Sequence, residues 1–187
     1  MGKIGKIAFI GGGAMGEAII KGILQAKLAA GEDITVSDPS EQRLEYLQKQ
    51  YGVNGTKENV AAVKNAKTVI LAVKPQMADK AITSTVAQAI AEEAAVVSIM
   101  GSVDLEKLHS LIPGKAIIRV MPNTPLAVGA GMTAIAPDEN AGQEMIETTK
   151  AIFGSCGEVV EVQESAMEAI TAVSGCGPGY VFVLIDA

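Results

Sequence analysis

The stretch that most constrains this chain lies near its start, Lys6-Ile-Ala-Phe-Ile-Gly-Gly-Gly-Ala-Met-Gly16. Ile7 to Ile10 read as a short buried strand. Gly11, Gly13 and Gly16 follow at G-x-G-x-x-G spacing and open a helical pattern. In a dinucleotide-binding fold the first glycine makes the tight strand-to-helix turn. The second lets a pyrophosphate approach the backbone, and the third lets the helix pack closely on the sheet. The phosphates then rest on free N–H groups at the positive end of the helix. Glycine clusters also occur as plain turns, so the spacing alone does not decide between a cofactor loop and a bend.

Downstream periodicity supports the cofactor loop. Ala14 to Leu28 reads as a helix with a small-residue face of Ala14, Ala18 and Gly22. Ile34 to Ser37 is a second strand, and Ser40 is placed to cap a helix from Glu41 to Gln50. A turn with a short strand covers Tyr51 to Thr56, and a brief helix covers Asn59 to Asn65. Lys67 to Val73 is the strongest strand, stopped by Pro75. Ala78 to Glu93 reads as one helix, Ala95 to Ile99 as a strand, and Asp104 starts a short helix before the strand Ala116 to Met121. This βαβαβ alternation predicts an α/β, Rossmann-like, mostly parallel sheet with helices on both faces. One or two extra strands come late. The link from Met121 to Gly131–Ala136 is too short for a parallel crossover, so that strand is expected to be antiparallel to its predecessor or detached. Asp138 is expected to cap a helix reaching Phe153, Glu158 to Val162 to form a last strand, and Glu164 to Val173 a helix. Ser174 to Gly179 should break the chain before a very apolar helix from Tyr180 to Ile185. A helix apolar all round belongs in a protein interior, so the chain is expected to stop just inside a second domain. The division expected is 1–163 for the dinucleotide-binding domain and 164–187 for the opening of a helical one.

Composition narrows the class. Hydrophobic residues make up 49% of the 187, but aromatics only 3%. The core is therefore built from Ala, Val, Ile, Leu and Met, which suits helices laid on a parallel sheet. A net charge of −6 with no Lys or Arg run argues against a nucleic-acid partner, and none is expected. No apolar stretch reaches the eighteen or so residues of a membrane span, so no membrane partner is expected. The N-terminal apolar run leads straight into the glycine loop, unlike a signal peptide. Cys156 and Cys176 have no C-x-x-C spacing, which suggests a reduced, cytoplasmic setting. His109 is the only histidine, and its polar-flanked helix makes it a surface residue; no metal site is expected.

Several strand ends carry chemistry. Asp38 closes the second strand about twenty residues after Gly16, where an acidic residue binds the adenosine ribose hydroxyls. It leans the site towards NAD, a lean that Arg43 offsets if it reaches the same pocket. Val73-Lys74-Pro75, Met100-Gly101-Ser102 and Pro122-Asn123-Thr124 end successive strands on one edge, where open sheets place their ligand crevice. Lys74 is read as giving backbone contact rather than side-chain catalysis. Asn123 has the donors and acceptors to orient a nicotinamide amide or a substrate. Arg119 sits inside an apolar strand, where an unpaired charge is expensive, so a structural pair with a carboxylate is expected.

Four segments together resemble the pyrroline-5-carboxylate reductase family. They are Ile7 to Gly16, Ile70-Leu-Ala-Val-Lys-Pro75, Arg119-Val-Met-Pro-Asn-Thr-Pro125 and Ala172-Val-Ser-Gly-Cys-Gly-Pro-Gly-Tyr-Val-Phe182. The first is common to many dehydrogenases; the third and fourth are far more specific. The resemblance implies reduction of the cyclic imine 1-pyrroline-5-carboxylate to L-proline by hydride from NADP or NAD in reduced form. It implies a phosphate loop of Gly11, Gly13, Ala14, Met15 and Gly16, and an adenosine side of Asp38, Pro39 and Asn59. Ala72, Val73, Lys74 and Pro75 would follow the nicotinamide ribose with Met100 nearby, and Met121, Pro122 and Asn123 would face nicotinamide and substrate. The family's helical domain joins subunits into a homodimer or higher homo-oligomer and supplies the proton donor. The chain by itself is thus expected to bind nucleotide, with turnover depending on that domain. Departures are Asp38 in place of a small polar residue, Met100-Gly101-Ser102 in place of Ala-Ala-Gly, Cys176 in place of serine and Gly179 in place of alanine. Two other readings compete: a 3-hydroxyacid dehydrogenase of the hydroxyisobutyrate type, against which Arg119 to Pro125 speaks, and a non-catalytic nucleotide-binding module.

Overall fold

A computed structural model of the chain describes residues 4–187; the first three residues of the expected N-terminal domain lie outside it. In chain order the elements begin with β1 (Ile7–Ile10), α1 (Ala14–Gln25), β2 (Ile34–Ser37), α2 (Glu41–Tyr51), β3 (Asn54–Thr56) and α3 (Asn59–Val63). Next come β4 (Thr68–Leu71), α4 (Ala78–Ala81), α5 (Ser84–Ala89), β5 (Ala95–Ser98), α6 (Leu105–Leu111) and β6 (Ile117–Met121). The chain continues with β7 (Gly131–Pro137), α7 (Gln143–Gly154), β8 (Gly157–Glu161), α8 (Met167–Ile170) and α9 (Gly177–Asp186). The strands form one eight-stranded sheet in the order β3-β2-β1-β4-β5-β6-β7-β8. Neighbours are parallel except β6 and β7, which run antiparallel, as the short link between them requires. β8 then pairs parallel to β7.

The alternating side chains of β1 divide the core. Ile7 and Phe9 join Ile19, Ile20 and Ile23 of α1, Leu44 and Leu47 of α2, and Ile152 and Phe153 of α7 on one face. Ala8 and Ile10 join Val63, Ala78, Val86 and Leu108 from α3 to α6 on the other. Every residue of β1, β4 and β5 is buried, the pattern of parallel strands covered on both faces. The small face read on α1 meets α7. A Cβ on Gly22 would stand 2.1 Å from Cys156 Sγ, and that thiol lies 3.7 Å from the carbonyl of Ala18. Burial pushes the Cys156 thiol up from its ordinary value.

Some segments depart from the periodicity. The apolar run Ala78 to Glu93 is not one helix. Ile82 leaves helical geometry, and Thr83 caps a second helix by accepting a hydrogen bond from the Val86 N–H. α1 ends at Gln25 because Lys27 takes a left-handed φ of 56°. Asp138 does not cap α7, whose N-cap is Gly142. Its carboxylate accepts from the N–H groups of Ile117 and Asn140 at 2.9 and 3.0 Å, and lies 3.2 Å from His109 Nε2. Ser174 to Gly179 does not break the chain either. α8 passes through a π-turn, Thr171–Gly175, into α9, with Pro178 in the first turn, where its missing N–H costs nothing. The helical run Glu164–Asp186 is 23 residues long and contains an 18-residue window of mean hydropathy 1.4, so by length and composition alone it is long and apolar enough to cross a membrane. The run reaches this length because the helix continues through Ser174–Gly179, where a break was expected.

Candidate functional site

The sheet order reverses between β1 and β4, and open α/β sheets bind their ligands at the carboxyl ends of strands at such a switch point. Gly11 sits there. Its N–H donates to the Ser37 carbonyl at 2.8 Å, and the Ala72 N–H donates to Ile10 at 2.8 Å, so the ends of β2, β1 and β4 are tied together. The glycines of the loop serve separable needs. Gly11 has φ +102°, and a Cβ there would stand 2.6 Å from the Ala72 carbonyl oxygen. A Cβ on Gly16 would stand 3.0 Å from the Gly11 oxygen. A Cβ on Gly13 would meet nothing within 4 Å, and Gly13 is ordinary extended backbone at the N-cap of α1. The fold therefore demands glycine at 11, whereas at 13 the vacant space belongs to the cleft. No side chain caps α1, so its first-turn N–H groups remain available to an anion.

Asp38 braces the same loop. Its Oδ2 accepts from the Gly12 N–H and its Oδ1 from the Ser40 N–H, each at 2.9 Å. Arg43, on α2, donates from Nε to the Gly12 carbonyl and from Nη2 to the Gly13 carbonyl at 3.2 Å. The same Nη2 lies 2.5 Å from Glu17 Oε2, and the Tyr46 and Tyr51 hydroxyls donate to Glu17 Oε1 at 3.0 and 2.7 Å. Burial raises the Glu17 carboxyl, but the bonds from Tyr51, Arg43 and Tyr46 outweigh it and hold the group below its ordinary range. Burial and the Glu17 carboxylate push the Tyr51 phenol up to about 12. Arg43 thus holds the outside of the loop rather than reaching into the pocket as a counter-charge. This cluster escaped the sequence reading, because nothing in the spacing of residues 17, 43, 46 and 51 brings α1 and α2 together.

A cleft of about 450 Å³ opens at the switch point, within the usual size for a small-molecule site. Of the residues singled out beforehand, Gly11, Gly13, Asp38, Pro39, Asn59, Ala72, Val73 and Lys74 line it. Ala14, Met15 and Gly16 lie behind the lip in the first turn of α1, and Pro75 starts a 3-10 turn beyond the cleft. Lys57, Met77, Lys80 and Ala81 line the cleft without having been anticipated. Asn59 gave the one available hint of this wall, since its amide donates to the Ala81 carbonyl at 2.9 Å and joins α3 to α4.

Met100, Met121, Pro122 and Asn123 lie outside this cleft, at the ends of β5 and β6 along the same edge. There the alternate residues 119, 121 and 123 all face the helical run. Arg119 is buried, donates to the Gly101 carbonyl at 2.7 Å and pairs with Glu164 at 3.3 Å, which is the expected structural pair. Its Nε has no hydrogen-bond partner among the described residues. The same Glu164 oxygen accepts from the Leu105 N–H at 2.6 Å. Met121 packs with Met167. Asn123 donates to Ser174 Oγ at 3.3 Å and accepts from the Met132 N–H at 3.0 Å, so both ends of its amide are held.

A doubly wound sheet, a glycine loop whose second glycine opens onto a cleft, and an uncapped helix N-terminus build a dinucleotide-binding site, and the likeness to known proteins makes this an oxidoreductase that works with NAD or NADP. A family model described as "NADP oxidoreductase coenzyme F420-dependent" matches residues 6–102. The pyrroline-5-carboxylate reductase of Synechocystis is 43% identical over 182 residues, which cover 97% of this chain and 67% of that protein. The crystal structure of Plasmodium falciparum pyrroline carboxylate reductase with NADP bound superposes with a TM-score of 0.88 at 29% identity, covering 100% of this chain and 68% of that one. The chain belongs to the pyrroline-5-carboxylate reductase family and spans about two thirds of the length of these relatives. Mycobacterium tuberculosis 3-hydroxyisobutyrate dehydrogenase superposes with a TM-score of 0.73 at 15% identity over 92% of this chain and 59% of that one, a likeness of fold alone.

Proposed function

We propose that the protein reduces 1-pyrroline-5-carboxylate to L-proline with NADH or NADPH, the last step of proline biosynthesis. Family membership at 43% identity across nearly the whole chain carries this reading. The bound cofactor supplies a hydride to the imine carbon, and the ring nitrogen takes a proton. The protein's contribution is positioning and exclusion of water, because an iminium is already electrophilic. Gly11, Gly13, Ala14, Met15 and Gly16 form the pyrophosphate cradle, a role favoured by the open space at Gly13. Asp38, Pro39 and Asn59 form the adenosine side, Ala72 to Pro75 follow the nicotinamide ribose, and Met100 lies near it. Met121, Pro122 and Asn123 face nicotinamide and substrate, with Asn123 oriented by Ser174 and Met132.

In this reading residues 1–163 are the dinucleotide-binding domain, and 164–187 open an all-helical domain that carries the proton donor and joins subunits into a homodimer or larger oligomer. The exposure of Val181 to Ile185, between 51% and 77%, supports burial against protein on assembly. The ties of Glu164 and Ser174 to the sheet favour a protein partner over lipid for this run. The enzyme works in the cytoplasm, apart from nucleic acid and membrane. Oxidation of NADH or NADPH by the full-length protein, dependent on added pyrroline-5-carboxylate, is the expected outcome. A full-length protein that oxidises neither cofactor with this imine contradicts the reading.

A further inference from the structure

The cleft is more basic than the protein around it. Lys57, Lys74 and Lys80 line it against one carboxylate, Asp38, in a chain of net charge −6. Lysines gathered in one concave site raise its positive potential and favour a polyanion. The glycine loop serves a pyrophosphate through backbone N–H groups at the end of β1. Lys57 stands two strands away from it, beyond β3.

Its place is well defined. Thr56 pairs with Ser37, and the Asp38 N–H donates to the Thr56 carbonyl at 3.2 Å, so Lys57 follows Asp38 in register along neighbouring strand ends. The Glu58 N–H donates to Thr56 Oγ1 at 3.1 Å, and Asn59 is tied to Ala81, which pins the turn on both sides of Lys57. The ammonium lies 2.9 Å from Glu41 Oε2, in a pair whose side chains are 51% and 70% exposed. Such a pair is weak in water and readily exchanged. An acidic residue at the end of β2 ordinarily holds ribose hydroxyls. Here both Asp38 oxygens already accept from backbone, at Gly12 and Ser40, and Lys57 lines the same cleft beside this carboxylate.

Resting on the dinucleotide reading above, we propose that Lys57 is the residue that selects the cofactor, leaving Glu41 to pair with a phosphate on the adenosine ribose and so favouring NADPH over NADH. A phosphate monoester carries up to twice the charge of the Glu41 carboxylate and offers three acceptor oxygens, so the exchange is favourable. Glu41, and Asp38 in the cleft lining, then oppose the phosphate as like charges that Lys57 must outweigh.

Calorimetric titration of NADPH and NADH into the unmodified protein, Lys57→Ala and Glu41→Gln tests this without relying on turnover. The unmodified protein is expected to bind NADPH more tightly. Lys57→Ala should weaken NADPH about tenfold to a hundredfold, the worth of one charge-assisted hydrogen bond, and leave NADH within about twofold. Glu41→Gln should strengthen NADPH a few-fold and leave NADH unchanged. Tighter binding of NADH by the unmodified protein, equal losses for both cofactors in Lys57→Ala, or no change in either overturns the proposal while the dinucleotide reading stands. Absence of binding by both cofactors overturns that reading and this proposal together.

Discussion

Two glycine-rich segments, Gly11-Gly12-Gly13 and Gly175-Cys176-Gly177-Pro178-Gly179, look alike as punctuation and do opposite things. The first turns a strand into a helix, with Gly11 in left-handed backbone against the Ala72 carbonyl. In the second none of the glycines takes a positive φ, Cys176 is right-handed helical, and one helical run passes straight through. The surroundings make the difference. The first segment is gripped by Asp38 from β2 and Arg43 from α2, which hold its N–H and carbonyl groups in a bend. The second has no such grip beyond Asn123 on Ser174, so the backbone satisfies its groups by continuing the helix. Glycine permits a turn, and its neighbours decide whether one forms. The cleft side is thus held by side chains of the sheet and α2, while the helical side leaves the apolar residues Val181 to Ile185 exposed.

The largest expected effect lies where the two regions meet. Glu164 is 34% exposed, but its partner Arg119 only 5%. Glu164→Ala leaves a cation buried against the Gly101 carbonyl alone and should cost on the order of 3 kcal/mol. Arg119→Met leaves a carboxylate that water can reach and should cost less. Urea unfolding of both variants checks the order, and the reverse order would mean that the helical run is not anchored by this pair. Next, Phe182→Asp combined with Leu184→Asp should abolish self-association while leaving the melting temperature of the sheet unchanged, because both side chains are exposed, at 66% and 76%. Sedimentation at matched concentrations measures it; a large drop in melting temperature would show that the helix supports the fold within one chain.

The smallest effect sharpens the cleft side. Glu17 is held below its ordinary value of 4.5, so the folded state binds its proton less readily than the unfolded state. Its contribution is complete above that value and lost as pH falls through the lower folded value. Glu17→Gln should lower stability by about 1 kcal/mol at neutral pH, with the difference fading in acid. Urea midpoints across that range measure it; a gap that persists in acid would assign the loss to packing instead.

Much of the architecture was legible because its causes are local. Ile7 to Ile10 alternate between two cores and run into Gly11. Ser40 caps α2 through the Arg43 N–H. The short link after Met121 forces an antiparallel pair. What escaped depends on residues far apart in the chain. The break at Thr83 is hidden in an alanine-rich run with good helical propensity. Asp138 looks like a helix cap until the N–H of Ile117, on another strand, takes its carboxylate. Lys57, Met77 and Lys80 carry no motif, and they reach the cleft only because the turn after β3 and the start of α4 open on the same edge of the sheet. Asp38 was found by spacing, but its bonds to Gly12 and Ser40 could not be read from spacing.

Gly13 tests the central claim most directly, because no described residue comes within 4 Å of a Cβ there. Titrating NADPH into Gly13→Val alongside a thermal melt separates ligand from fold. The expected result is a melting temperature close to that of the unmodified protein, with NADPH binding weakened at least a hundredfold, about 3 kcal/mol, because the side chain fills the pyrophosphate's place. Unchanged NADPH affinity in Gly13→Val would contradict the claim that this loop is the cofactor's cradle.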